Sequence, residues 1–175
     1  MSDEKKPIRI VGIGNVLMGD DGLGPFTIKV LESRYRFPDH VELEDGGTPG
    51  LDFMPYLTGA RSLIVLDTVA SSGEPGMLRI YRDQEIIGSA PPPRLSPHQP
   101  GLREALMATE LTDSSPDEIV LLGVVPLAVE QGTSLSDPVQ AAVEDLIAAV
   151  VAELERLGAA PTPFETPRKP DVWWT

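Results

Sequence analysis

Residues 8–24 read IRIVGIGNVLMGDDGLG, an apolar run followed by a turn with glycines, one asparagine and two adjacent aspartates. Residues 8–13 are short and rich in β-branched side chains, and they lie between Pro7 and Gly14, which predicts a buried strand. Pro25, just beyond the turn, fits the first turn of a helix. This order of strand, glycine-rich turn and helix predicts the first unit of an α/β sheet.

The rest of the chain continues the alternation of strands and helices. Strands are predicted at residues 41–43, 62–67, 76–81 and 118–125, and helices at residues 25–35, 51–57, 102–109 and 138–157, the last capped by Ser136. This pattern predicts an α/β fold with three layers, in which a twisted, mainly parallel five-stranded sheet has helices on both faces. We expect residues 1–158 to form this single domain and residues 159–175, with four prolines, to form a Pro-rich tail.

Composition excludes several classes of function. With 14 basic and 27 acidic residues the net charge is −13, so binding to nucleic-acid phosphates is not expected. The absence of cysteine removes disulfides, thiolate metal sites and cysteine nucleophiles. No apolar run reaches the ~18 residues of a membrane helix and no signal peptide is seen, so we expect a cytoplasmic protein that does not bind membranes.

The glycine-rich turn does not match a phosphate-binding loop. Gly12 and Gly14 could begin a G-x-G-x-x-G fingerprint, but Leu17 occupies the third glycine position, and the two aspartates would repel a pyrophosphate. We therefore expect no nucleotide cofactor. Gly12 and Gly14 are interpreted as close-packing positions, and Asn15 as a residue that bonds within its own turn.

Acidic residues follow several predicted strands. Functional sites of such sheets lie beyond the carboxyl ends of the strands, where Asp20, Asp21, Asp45 and Asp67 would meet. Clustered carboxylates repel each other unless a cation neutralises them. His98, held in a stiff loop between prolines, could add an imidazole to Asp21 and Asp67 and complete a metal site, whereas Asp20 is expected to be a solvated neighbour. An aspartic-type pair of Asp21 and Asp67 that shares a proton stays open as an alternative.

Six blocks in this order resemble the [NiFe]-hydrogenase maturation proteases, the nickel-dependent endopeptidases that trim the C-terminus of the hydrogenase large subunit. The blocks are GIGNVLMGDDGLG, DGGTPG, LIVLDTV, SPHQPGL, LLGVVP and SLSDPV. The resemblance runs from about residue 8 to residue 139. It implies a twisted, mainly parallel sheet flanked by helices.

The resemblance also assigns roles to single residues. It places the metal-binding and catalytic positions on Asp21, where many relatives have glutamate, on Asp67 and on His98. These residues would bind nickel that is already present in the immature large subunit. The segment that governs substrate discrimination falls on DGGTPG, with the candidate residues Asp45, Gly46, Gly47 and Thr48.

The function implied is that of a hydrolase, an endopeptidase of the aspartate or metallo type that removes a C-terminal peptide from the nickel-loaded precursor of a hydrogenase large subunit. Oxygen-rich ligation without thiolate is weak for nickel, so the metal is expected to arrive with the substrate. One alternative is a module that binds the nickel-loaded subunit as a checkpoint but does not cut it. Another is a nucleotide-binding enzyme with a degenerate turn.

Overall fold

The computed structural model describes residues 6–47, 52–88, 99–112 and 114–175. The strands are β1 (Ile8–Ile13), β2 (Tyr35–Arg36), β3 (Val41–Gly47), β4 (Ser62–Thr68), β5 (Leu78–Arg82), β6 (Glu118–Val124) and β7 (Thr162–Pro163). The helices are α1 (Leu23–Arg34), α2 (Met54–Leu57), α3 (Gln84–Gly88), α4 (Gln99–Thr112) and α5 (Asp137–Arg156), and a 310 turn at Gly19–Gly22 precedes α1.

Five strands form the central sheet in the order β3-β1-β4-β6-β5. Strands β1, β3, β4 and β6 run parallel, and β5 pairs with β6 in the antiparallel direction at one edge. The predicted α/β class, with a mainly parallel five-stranded sheet, is confirmed. In the register of the sheet Gly12 of β1 lies opposite Asp45 of β3 and Leu66 of β4, so all three strands end at the same edge.

Two apolar layers enclose the sheet. Side chains of one sheet face pack with α1 and α5, and those of the other face pack with α2 and α4. The alternation along β1 shows this division, because Ile8 and Ile10 belong to the first layer and Val11 and Ile13 to the second. Residues of both layers are almost completely buried, so the ends of the strands rest on a well-packed base.

Several element boundaries differ from the predicted ones. Strand β3 continues from Val41 through Gly47, four residues beyond the prediction, with a register shift that pairs Ile13 with Gly47, whose φ is +53°. Helix α1 begins at Leu23 rather than at Pro25. Helix α4 begins at Gln99, three residues before the predicted start at residue 102, and residues 89–98 ahead of it lie outside the described ranges.

The C-terminal segment folds back on the domain. Strand β7 pairs with β2 in an antiparallel two-stranded ribbon. Beyond it, Phe164 donates its N–H to the Arg34 carbonyl at 2.8 Å, and Arg168 donates to the Ser33 carbonyl at 2.8 Å. The segment thus runs along the C-terminal end of α1. The boundary proposed at residue 158 stays a prediction.

None of the helices built by the described residues has the length and apolar character needed to cross a bilayer. The longest is α5, with 20 residues, which carries acidic and basic side chains along its length.

Candidate active site at the carboxyl edge of the sheet

The connections of the sheet diverge between β1 and β4. After β1 the chain crosses to β3 on one side, whereas after β4 it crosses to β5 on the other side and returns through α4 to β6. In open α/β sheets this divergence leaves a crevice beyond the carboxyl ends of the two strands, where ligands bind. The 310 turn that contains Asp20 and Asp21 follows β1, and Asp67 is the second-last residue of β4.

Glycines bring the turn close to the sheet. At Gly14, which has φ of +139°, a Cβ would lie only 1.7 Å from the Asp21 carbonyl oxygen. At Gly24, a Cβ would lie 2.4 Å from the backbone of Ile13 and 2.5 Å from the carbonyl oxygen of Leu66. A side chain at either position would push the turn away from the ends of β1 and β4. The interpretation of Gly12 and Gly14 as close-packing positions is also confirmed, since a Cβ at Gly12 would lie 2.3 Å from the Gly24 carbonyl oxygen.

Asp21 and Asp67 are both buried at this edge, with relative exposures of 4% and 1%. One oxygen of Asp21 accepts the Asn15 N–H at 2.8 Å, and one oxygen of Asp67 accepts the Thr68 N–H at 2.7 Å. Each bond orients its carboxylate from a neighbouring part of the backbone. Asn15 in turn accepts the Leu17 N–H at 3.0 Å, so the prediction that it bonds within its own turn is confirmed.

His98, the predicted third ligand, lies outside the described residues, and its place relative to the two aspartates stays a prediction. Within the described ranges, no three acidic or histidine side chains are grouped so that they could hold a metal ion together. The structure describes two members of the predicted set, the buried carboxylates of Asp21 in the 310 turn and Asp67 near the end of β4.

Asp20 is not the solvated neighbour that was expected. It is 1% exposed, and its carboxylate accepts hydrogen bonds from the N–H groups of Leu127 (2.8 Å), Ala128 (3.1 Å) and Ser136 (2.7 Å). The Ser136 hydroxyl donates a fourth bond at 2.9 Å. Ser136 is the N-cap residue of α5 by position, but its side chain makes no capping hydrogen bond and binds Asp20 instead.

The predicted substrate-discrimination segment lies at the end of edge strand β3. Asp45 accepts the Gly47 N–H at 3.0 Å, and a Cβ at Gly46 would lie 3.5 Å from the Tyr56 hydroxyl oxygen. Thr48 lies outside the described residues. Burial first, and then the carboxylates of Glu44, Asp45 and Asp52, raise the pKa of Tyr56 above its ordinary value, so this corner of the site is acidic and the phenol stays neutral.

The loop of residues 127–136 is part of this edge, although no local sequence pattern predicts that it contacts the turn. Gly19 donates its N–H to the Gly132 carbonyl at 2.8 Å, and Gly132 donates to the Leu17 carbonyl at 2.9 Å. The only sequence signal was the block SLSDPV, which the family resemblance included. Its local pattern indicates a helix start and says nothing about a partner more than 100 residues earlier.

Comparison with known proteins adds independent findings. The family model described as "Hydrogenase maturation protease" matches residues 25–153. The chain is 39% identical to the hydrogenase expression/formation protein HupM of Azotobacter chroococcum mcd 1 over 94% of this chain and 79% of that protein. It is 35% identical to the hydrogenase 2 maturation protease of Escherichia coli K12 over 90% of this chain and 96% of that protein.

The fold agrees with solved structures. The hydrogenase maturating endopeptidase HybD from E. coli superposes with a TM-score of 0.83 at 34% identity, covering 90% of this chain and 97% of that one. The [NiFe] hydrogenase maturation protease HybD from Thermococcus kodakarensis gives a TM-score of 0.63 at 20% identity over 86% of this chain and 98% of that one, a likeness of fold alone.

Proposed function

The chain belongs to the hydrogenase maturation protease family and is an endopeptidase, and we propose that it removes a C-terminal peptide from the nickel-loaded precursor of a hydrogenase large subunit. The observation that carries this proposal is the burial of Asp21 and Asp67 at the switch point of the sheet. Burying a carboxylate destabilises the folded protein unless hydrogen-bond donors or a cation compensate its charge. This pair stands where α/β sheets bind ligands.

The residues present suit a metal that the substrate brings. Asp21 and Asp67 offer hard oxygen donors, and the chain contains no cysteine to supply thiolate. Two carboxylates with one imidazole from His98 would bind nickel weakly by themselves, whereas ligands of the precursor would hold it firmly. We expect weak nickel binding by the isolated protein. A nanomolar dissociation constant in a titration without precursor would contradict this part of the proposal.

The chemistry proposed is attack of water on the scissile peptide bond. When bound, nickel would supply Lewis-acid chemistry, by polarising a carbonyl or by acidifying a water. Asp21 and Asp67 orient the bound group, and one of the two carboxylates accepts the proton of the attacking water, which requires an approach of about 2.6–3.2 Å between oxygen atoms. The backbone bonds to Asn15 and Thr68 hold the carboxylates ready for this contact.

The test is incubation with purified large-subunit precursor, once loaded with nickel and once free of it, followed by intact-mass measurement of the subunit. We expect the nickel-loaded precursor to lose a C-terminal peptide and the nickel-free precursor to keep its full mass. A loaded precursor that binds this protein but retains its mass would instead indicate the non-cleaving checkpoint. Cleavage of both precursors to the same extent would contradict the proposed requirement for nickel.

A further inference from the structure

Asp20 is a buried charge that the proposed chemistry does not use. It is adjacent to Asp21, yet its hydrogen bonds from Leu127, Ala128 and Ser136 all come from a segment more than 100 residues later in the sequence. Burying a carboxylate requires such compensation, because an unsatisfied charge in the interior is strongly unfavourable. The four donors satisfy Asp20 and at the same time fix the main chain of that segment.

The segment is only partly buried. None of residues 126–136, all of them described, is buried. Residues of the segment line an open cleft of about 280 Å³ together with Gly19 and Asp20, and Leu135, near the end of the segment, packs partly against the core. Leu127, at the start of the segment, leaves its side chain 58% exposed although its N–H is bound by Asp20. Hydrogen bonds to the turn, together with the core contact of Leu135, therefore position the loop.

Main-chain bonds complete the connection between loop and turn. Gly19 and Gly132 are linked at 2.8 Å, Gly132 and Leu17 at 2.9 Å, and the Asp20 N–H reaches the Ala128 carbonyl at 3.3 Å. The carboxylate of Asp20 also accepts the N–H of Ser136, directly before α5, where the helix dipole favours a negative charge. The loop and the turn thus form one unit beside the candidate active site.

We propose that Asp20 is a positioning residue for precursor binding: it holds residues 127–136 in place as one wall of the substrate site. This inference rests on the proposed function. Because the bonds of Asp20 go to the loop and not to the Asp21 carboxylate, its loss acts on substrate binding and leaves the chemical step nearly intact. A wall that is fixed before binding spares the precursor the entropy of ordering it.

The test measures KM and kcat for cleavage of the nickel-loaded precursor by wild type and by Asp20→Asn, at a temperature where both show the same far-UV circular dichroism. The amide retains one acceptor oxygen and turns an NH2 group toward the loop N–H donors. We expect KM to rise at least about tenfold and kcat to stay within about threefold. A change of this size in KM is what we expect when the Asp20 carboxylate no longer fixes the loop. An unchanged KM, or a fall in kcat at constant KM, would overturn the proposal.

Two further variants keep the test independent of the folding of Asp20→Asn. Gly132→Pro removes the N–H donated to Leu17, whereas Gly132→Ala keeps it and adds a Cβ that meets open space. We expect the proline variant to raise KM clearly more than the alanine variant does. Equal KM values for proline and alanine would count against a role for the loop.

Asp145→Asn is the control for the loss of one negative charge. It removes an exposed carboxylate from α5 and should leave KM and kcat unchanged. Ser136→Ala removes one of the four bonds and should change KM by less than about threefold. Failure of the proposed function is recognised separately: wild type would then leave the precursor uncut. A wild type that cuts, with Asp20→Asn cutting at the same KM, would refute the inference alone.

Discussion

Asp20 and Asp21 are adjacent, of the same residue type and both buried, but they face different surroundings. Successive residues of a 310 turn point about 120° apart, so one carboxylate turns to the loop of residues 127–136 and the other accepts the N–H of Asn15. The residue types and the family resemblance indicated Asp21. The role of Asp20 could not be predicted, because its partners are separated from it by 107 residues or more in the sequence.

Asp67→Asn tests the candidate site at this scale. Asp67 is 1% exposed, so the substitution must preserve the shape of the side chain. Asparagine can still accept the Thr68 N–H and cannot accept a proton from water. Cleavage of the nickel-loaded precursor, followed by mass, should slow at least about 100-fold.

The control for this variant is Asp39→Asn, which removes an exposed carboxylate near the amino ends of the strands, at the opposite edge of the sheet. It should cleave at the wild-type rate. His98→Ala is expected to lose cleavage as Asp67→Asn does, on the family resemblance. Wild-type activity of Asp67→Asn, in a protein with a normal unfolding transition, would exclude that residue from the chemistry.

At the scale of elements, local patterns predicted the long helix and the central strands well, because burial of one helical face or of a whole strand leaves a periodic signal. Helix α5 was predicted within one residue at each end. Strands β2 and β7 were missed, since a two-residue strand has no period. The C-terminal extension of β3 was missed because glycines usually mark turns.

Gly24→Ala tests the contact between α1 and the sheet. Its new Cβ would lie 2.4 Å from Ile13 backbone atoms and 2.5 Å from the Leu66 carbonyl oxygen, neither of which can move without shifting a central strand. We expect the free energy of unfolding in urea to fall by about 3 kcal/mol. Gly132→Ala, with open space around its Cβ, should unfold at the wild-type urea concentration.

Glu153 of α5 provides a test of electrostatics. It is 8% exposed, binds Arg82, and accepts a bond from Arg156 at 2.9 Å. The Arg82 guanidinium first, and Arg156 after it, hold the pKa of Glu153 below its ordinary value despite burial. A carboxyl whose pKa is lower in the folded state stabilises the protein above the unfolded pKa, and this contribution is lost as the pH falls through the folded pKa.

Glu153→Gln should therefore lower the free energy of unfolding by about 2 kcal/mol at pH 7, and the deficit should shrink below about pH 4 as the wild-type carboxyl becomes protonated. Urea unfolding of wild type and Glu153→Gln across this pH range measures the difference in their free energies of unfolding. Glu144→Gln on the same helix loses a pair with Arg34 that is largely exposed, and should change stability by less than about 1 kcal/mol. A deficit for Glu153→Gln that persists unchanged at pH 3 would contradict the assignment.

At the scale of the whole molecule, the C-terminal segment connects distant parts of the fold. After pairing with β2 it continues to Trp174, which lines a cavity of about 120 Å³ together with Val16, Gly19 and Phe26. Composition predicted a Pro-rich tail, but proline content gives no information about where such a segment docks. The docking site is built by residues of α1 and of the 310 turn together, so the sequence of the segment alone does not reveal it.

The two adjacent tryptophans allow a matched test of this docking. Trp174 lines the cavity beside the turn, whereas Trp173 is 70% exposed. Trp174→Ala should lower the midpoint of thermal unfolding by several degrees, at roughly 2–4 °C per kcal/mol for a chain of this size, and Trp173→Ala by clearly less. Equal shifts for the two variants would show that the segment does not rest on this cavity.

The path of the C-terminal segment decides at which end of the chain a purification tag can be fused. An oligohistidine sequence placed after Thr175 would start beside Gly19 and Gly22, the residues on either side of the two aspartates, and its imidazoles would compete for the nickel that we propose the substrate brings. A tag fused ahead of β1 lies at the amino ends of the strands, away from the edge of the sheet that carries the two aspartates. Activity assays on this protein should therefore use N-terminal fusions.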